Sequence, residues 1–253
     1  MRITIWPYLI AVSIIVFGIS CKRTRTKANS SLPKVDLLFN GNCLDNSYLK
    51  NRVILHGKIV PATDRFGNSN GAMEFDGISS YLEIPHKNEF RGDGILVMAW
   101  VYAKDFKFYS NGVSSMDDYS GFFNKWDQKN KKGISTYSTY KQCRANGHFG
   151  DGGFFDKGSQ KGTFLSKNTW HHVAYKICNG LVTYYLDGKE ISKEQYSNKS
   201  GLYTVNDAIE IGRTHWYPSQ SQMTSYFTGL LDDLKIYYGC ANVNISDIAQ
   251  KKP

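Results

Sequence analysis

The chain has 253 residues, with 31 Lys and Arg against 22 Asp and Glu, a formal charge of +9. Six of the cations lie in residues 1–34, without an acid, and two more in the last three residues, so the stretch 35–250 stays near neutral at +1. That distribution excludes a basic groove for nucleic acid, and an aromatic content of 14% excludes a disordered chain.

In chain order, the first element is a targeting segment. Arg2 precedes an apolar run from Ile3 to Ile19, interrupted by Pro7, which leads into Gly18-Ile19-Ser20-Cys21. The run is shorter than the ~20 residues of a spanning helix. Its positive start, apolar centre and small-residue exit follow the grammar of a signal peptide. The last four residues resemble the lipobox of bacterial lipoproteins, which implies that Cys21 is the acylated first residue of the mature chain. Residues 22–34, KRTRTKANSSLPK, are polar, basic and aperiodic and read as a flexible tether. Fully extended, they reach at most about 45 Å. The expectation is a signal peptide at 1–21, a tether at 22–34 and one folded domain at 35–250. The protein is then lipid-anchored in the bacterial cell envelope, facing the periplasm or the cell surface.

Beyond the tether, the hydrophobic pattern predicts an all-β domain. Strands are expected at 35–39, 72–75, 81–84, 95–102, 121–125, 133–140, 171–177, 181–186, 208–211 and 229–237, where apolar and β-branched residues recur between turn signals. Asn179-Gly180 and Asp187-Gly188 are hairpin signals, because both tolerate the positive φ angles of a type I′ turn. Helical periodicity is confined to 245–250. Ten to fourteen antiparallel strands at this length predict a two-sheet β-sandwich or jelly roll.

A series of segments in order carries a family resemblance. Phe39-Asn40-Gly41-Asn42 comes first, then Asp64-Arg65-Phe66-Gly67, Ala72-Met73-Glu74-Phe75-Asp76-Gly77 and Tyr81-Leu82-Glu83-Ile84-Pro85. Ala99-Trp100-Val101, Asn124-Lys125-Trp126-Asp127, Trp170-His171-His172-Val173-Ala174 and Tyr185-Leu186-Asp187-Gly188-Lys189 follow. The series closes with Ile211-Gly212-Arg213 and a run from Phe227 to Tyr237 that contains Asp232-Asp233. Over residues 35–250 the chain resembles the laminin-G-like jelly rolls of the concanavalin A-like lectin/glucanase superfamily.

The resemblance implies a sandwich with a calcium ion near its rim, for which Asn42, Asp45, Asp76 and Asp232 are the candidate oxygen ligands. Where many relatives place two acids after Phe-Asp-Gly, this chain has Ser79-Ser80. It also implies that first and last strands pair, which brings Cys43 to Cys240 and leaves Cys143 for Cys178. Trp100 and Trp170 are expected to supply area between the sheets. Neighbours His171 and His172 point to opposite faces and cannot share a metal.

For function, the glucanase pattern of alternating Glu, Asp and Glu on one strand is missing, and no HExxH, GxSxG or phosphate-binding glycine loop occurs. The expectation is therefore a non-catalytic, lectin-like module. Sugars expose apolar C–H faces and many hydroxyls, so their sites pair aromatic platforms with Asn, Asp and Arg. Trp126, Trp216 and Tyr217 are the candidate platforms, with Asp127, Arg213 and His215 near them in sequence. The expected partner is a glycan, or alternatively an envelope protein bound through an adhesion surface, with the membrane engaged only through the lipid.

Overall fold

Alternation of buried and half-buried residues marks the strands directly. Tyr81–Ile84 runs half-buried, buried, half-buried, buried, whereas Gly94–Asp105 opens with six buried residues because both of its faces are covered. The computed structural model describes residues 31–92, 94–106, 119–127, 132–139, 143–148, 154–158, 165–195, 205–216 and 223–250. Cys21, most of the tether and Tyr217 lie outside them.

The described strands are β1 (Val35–Leu37), β2 (Ile54–His56), β3 (Ile59–Ala62), β4 (Ala72–Asp76), β5 (Tyr81–Ile84) and β6 (Gly94–Asp105). There follow β7 (Tyr119–Asp127), β8 (Lys132–Thr139), β9 (Cys143–His148), β10 (Phe154–Gly158), β11 (Trp170–Cys178) and β12 (Leu181–Leu186). The chain ends with β13 (Lys189–Gln195), β14 (Ile209–Ile211), β15 (Arg213–Trp216), β16 (Met223–Tyr226), β17 (Thr228–Tyr238) and the helix α1 (Ile245–Gln250).

One sheet has the order β13-β12-β11-β6-β17-β4-β3, with β1 also on β17; the other has β10-β9-β8-β7-β14-β5-β2; β15 and β16 form a separate hairpin. All pairings are antiparallel, and the architecture is the expected two-sheet jelly-roll sandwich. Val97, Val101, Tyr175, Leu231 and Ile236 of the first sheet and Leu82, Ile84, Phe123, Ile134 and Ile211 of the second share one core. On the outer face of the first sheet, Leu96, Met98, Ala174 and Tyr237 pack with Ala241 and Ile245, so the carboxy-terminal helix covers that end.

Turn chemistry matches the sequence. Asn179-Gly180 and Asp187-Gly188 have positive φ at both central residues (51° and 76°, 51° and 78°), as a type I′ turn requires. Gly77 is needed for a second reason: besides φ of 71°, a Cβ there would lie 1.8 Å from Thr228 Oγ1. Gly147 and His148 of β9 lie opposite Phe155 and Phe154 of β10, and residues 149–153 lie outside the described residues.

The cysteine pairing differs from expectation. Cys178 is bonded to Cys240, with Cα atoms 5.4 Å apart, and Cys43 is a free, buried thiol. The strand pairing invoked for Cys43–Cys240 does exist, since β1 lies on β17, but its antiparallel register sets Val35 opposite Ile236 and Leu37 opposite Leu234. Moving along the chain toward Cys43 therefore moves away from Cys240. Cys178 instead lies opposite Gly94 on β6, and Gly239 donates its N–H to Gly94 O from the other side. The disulfide thus staples β11 to the end of β17 across β6, which also removes Cys178 as a partner for Cys143 on β9.

Candidate functional site

The long last strand creates the site. β17 is flanked by β4 over Thr228–Leu231 and by β1 over Leu234–Ile236, and between the two flanks its register with β6 shifts at Asp232. Asp233 takes a positive φ of 48° at this irregularity. The turn after β1 and the loop before β4 flank the gap and leave a cleft of about 670 Å³ lined by Asn40, Gly41, residues 64–66 and 68–71, Asp232 and Asp233.

The loop before β4 closes on itself through Asp64. Its carboxylate accepts hydrogen bonds from Phe66 N (2.8 Å), Asn68 N (2.8 Å) and Asn68 Nδ2 (2.9 Å). Burial opposes ionisation, yet these bonds from Asn68 and Phe66, with the Arg65 charge, hold Asp64 below the ordinary carboxylate range. The closed loop aims Arg65 inward. Its Nη1 pairs with Asp232 and its Nη2 with Asp233 at 2.7 Å, while the guanidinium lies 4.3 Å from the Phe66 ring centre and 4.7 Å from that of Trp100. Arg65 is 8% exposed and Asp232 4%, whereas Asp233 keeps 30% and Phe66 39%. Arg65 Nε has no partner in the protein.

Burial, followed by the neighbouring Asp233, pushes Asp232 up to about 7 against the pull of Arg65. Beneath, Trp100 meets the buried His172 ring edge-on at 5.5 Å. Trp100 therefore floors the Arg65 clamp on the outer face of the first sheet and does not lie between the sheets. His172, held down to about 4 by burial, is neutral at physiological pH. His171, on the opposite face, pairs with Asp187 at 3.0 Å.

The four candidate calcium residues are not gathered. Asn42 bridges Asn40 O and Leu44 N within its own turn. Asp45 accepts five hydrogen bonds, from Asp36 N, Ser47 N, Ser47 Oγ, Asn51 N and Asn51 Nδ2. Asp76 likewise accepts from the N–H of Ile78, Ser79 and Ser80 and from both serine hydroxyls. The serines thus saturate the carboxylate from within its own turn. Asp232 is tied to Arg65. Among the described residues no three Asp, Glu, His or Cys side chains come together as a metal site. These residues do not fit a single calcium shell, because their lone pairs already accept from the protein.

Of the six sequence-predicted ligand residues, Tyr217 lies outside the described residues, and the other five separate in space. Trp126 and Asp127 end β7, and Trp126 is buried. Arg213, His215 and Trp216 lie on β15, which packs at the start of β7, where a Cβ on Gly121 would meet Thr214 Oγ1 at 2.1 Å. Gly121 and Trp126 are five residue steps, about 16 Å, apart along β7. Arg213 does join a built cluster: its guanidinium stacks 3.5 Å from the Tyr81 ring centre and pairs with Glu210. His56 stacks on Tyr81 at 4.2 Å and meets Glu83 at 3.1 Å. Glu210 in turn accepts from Asn124 Nδ2 at 2.9 Å. These rings stack on one another, so Tyr81 is no open platform. The cleft itself was missed, although both of its halves, Asp64-Arg65-Phe66 and Asp232-Asp233, stand in the segments that carry the resemblance.

The chain is thus an all-β sandwich whose irregular rim holds a polar, aromatic-lipped cleft. The family model described as the concanavalin A-like lectin/glucanases superfamily, laminin-G-like group, matches residues 76–244, and the chain belongs to this family. Domain 4 of AbnA, a GH43 extracellular arabinanase from Geobacillus stearothermophilus solved in complex with arabinotriose, is similar over 87% of this chain and 98% of that one, with a TM-score of 0.61 and 18% identity. The binding domain of Paraclostridial Mosquitocidal Protein 1 aligns over 88% of this chain and 52% of its own, with a TM-score of 0.65 and 14% identity. At these identities the likeness is one of fold. Among curated proteins, Adhesion G-protein coupled receptor V1 of Danio rerio is 39% identical over 80 residues, 32% of this chain, and the match spans 1% of that receptor's length.

Proposed function

We propose that the protein is a non-catalytic carbohydrate-binding module, tethered to the membrane of a bacterial envelope through Cys21 and residues 22–34, with the rim cleft as its sugar site. One observation carries the reading. The cleft sets a part-exposed aromatic ring, Phe66, among Asn40, Asn68, Asn70 and Asp233, the pairing of apolar face and hydrogen-bonding groups that a sugar requires. Its volume of about 670 Å³ suits one or two sugar units.

The similar folds support a glycan partner. Besides the arabinanase domain with arabinotriose, a botulinum neurotoxin binding domain is in complex with SialylT, and another neurotoxin's cell entry depends on two ganglioside molecules. The chemistry of the cleft weighs against catalysis. Asp232, the carboxyl shifted toward neutrality, is 4% exposed beneath Arg65 and does not offer its proton to a bound ligand. The lipid anchor rests on the lipobox-like residues 18–21, and metabolic labelling with a fatty-acid probe tests it: wild type incorporates label and Cys21→Ser does not.

A glycan array probed with the full chain tests the reading. Expected is a saccharide retained by wild type and lost on Phe66→Ala with the folded state retained. No saccharide bound, with envelope proteins captured instead, would replace it by an adhesion role.

A further inference from the structure

The cleft's hydrogen-bonding groups are unequal in sign, and this bears on which sugar it takes. Asp64, Asp232 and Asp233 line it against one cation, Arg65. That cation is turned inward, 8% exposed, paired with two carboxylates and covered by the rings of Phe66 and Trp100. It neutralises Asp232 and cannot greet an anion. What remains for a ligand is an acceptor-rich wall. Asp233 is 30% exposed and only its Oδ2 is paired with Arg65; Asp64, whose oxygens accept within its own loop, contributes its negative charge; the amides of Asn40 and Asn70 stand beside them.

Resting on the carbohydrate reading of this cleft, we infer that it selects saccharides bearing a free ammonium group, amino sugars without N-acetylation, over their N-acetylated, neutral and carboxylated counterparts. The ammonium donates to Asp233 in a charge-assisted hydrogen bond, which is stronger than one to a neutral hydroxyl. Acetylation removes that charge, and a uronic or sialic carboxylate meets Asp233 and Asp64 as a like charge. The Phe66 ring lies at the lip for the apolar face of the sugar.

Calorimetric titration of the full chain at pH 6 compares four tetrasaccharides: a chitosan, a chitin, a cellulose and a polygalacturonate fragment. Expected is a chitosan affinity about ten-fold above chitin and cellulose, weakening with salt, and no binding of the galacturonate. Asp233→Asn abolishes the preference while residual binding persists. Because this change touches the Arg65 clamp, Asn70→Asp serves as a second variant, which strengthens chitosan binding and leaves the clamp intact. Equal affinity for chitosan, chitin and cellulose, or tighter binding of the galacturonate, overturns the selectivity and leaves the glycan reading standing. No binding by any of the four, with capture of a lysine-rich peptide, overturns both.

Discussion

Replacing Arg65 with Met tests the clamp on which the cleft is built. The substitution keeps the apolar stem between Phe66 and Trp100 but leaves Asp232, 4% exposed, without its cation. Where Asp232 is ionised, breaking the buried pair by removing one partner costs up to about 3–5 kcal/mol. The pH dependence is more specific than the magnitude. Asp232 is raised from 3.8 to about 7 in the folded protein, so its contribution is fully present below the unfolded value and is lost as pH rises through 7, above which it is flat. Without Arg65 the folded carboxyl rises further, and the variant continues to lose about 1.4 kcal/mol per pH unit above 7. Urea unfolding at pH 6, 7 and 8.5, followed by tryptophan fluorescence, should show the smallest deficit at pH 6, where Asp232 is largely protonated in both proteins. By pH 8.5 it should widen by about 2 kcal/mol. A deficit below about 1 kcal/mol at pH 8.5, or one unchanged from pH 7 to 8.5, would refute the clamp.

Other outcomes follow from single contacts. The Cys178–Cys240 bond spans a sequence separation of 62, for which loop-closure entropy gives about 4 kcal/mol; Cys240→Ala should lower stability by that order, and non-reducing peptide mapping that joins Cys43 to Cys240 contradicts the assignment. Cys43, pushed up to about 12 by burial, should react with iodoacetamide only after unfolding. The folded pKa of His172 is depressed from 6.5 to about 4, so its contribution is present above 6.5 and is lost as pH falls toward 4. The amount is about 3 kcal/mol, and His172→Phe should flatten that limb of the stability profile. Asp45→Ala leaves five donors without their acceptor and should cost about 3 kcal/mol, whereas calcium and chelator should leave the melting temperature of wild type unchanged.

Much of the fold was legible because it is written in local chemistry. Asp187-Gly188 and Asn179-Gly180 specify their hairpins by backbone tolerance alone, and the alternation in Tyr81–Ile84 marks a half-buried strand. Short strands such as Ile59–Ala62, which contains Pro61, and Arg213–Trp216 escaped, because their pairing depends on neighbours more than on their own pattern. The disulfide escaped for a related reason. Knowing that β1 and β17 pair does not say in which direction Cys43 leaves the pair, and register decides it. Asp232 is a calcium candidate by sequence, yet the partner that claims its carboxylate, and that of Asp233, is Arg65, more than 160 residues away in the chain. That meeting depends on β17 changing flanks from β4 to β1, which residue types alone do not announce.

The central claim is that a glycan occupies the rim cleft, and hydrogen exchange of the full chain with and without saturating chitosan tetrasaccharide tests it most directly. The account predicts added protection of the backbone amides at 39–41, 64–71 and 232–233, with β7 and β15 unchanged. Protection confined to Trp126–Asp127 or Arg213–Trp216, with the cleft unaffected, would contradict it.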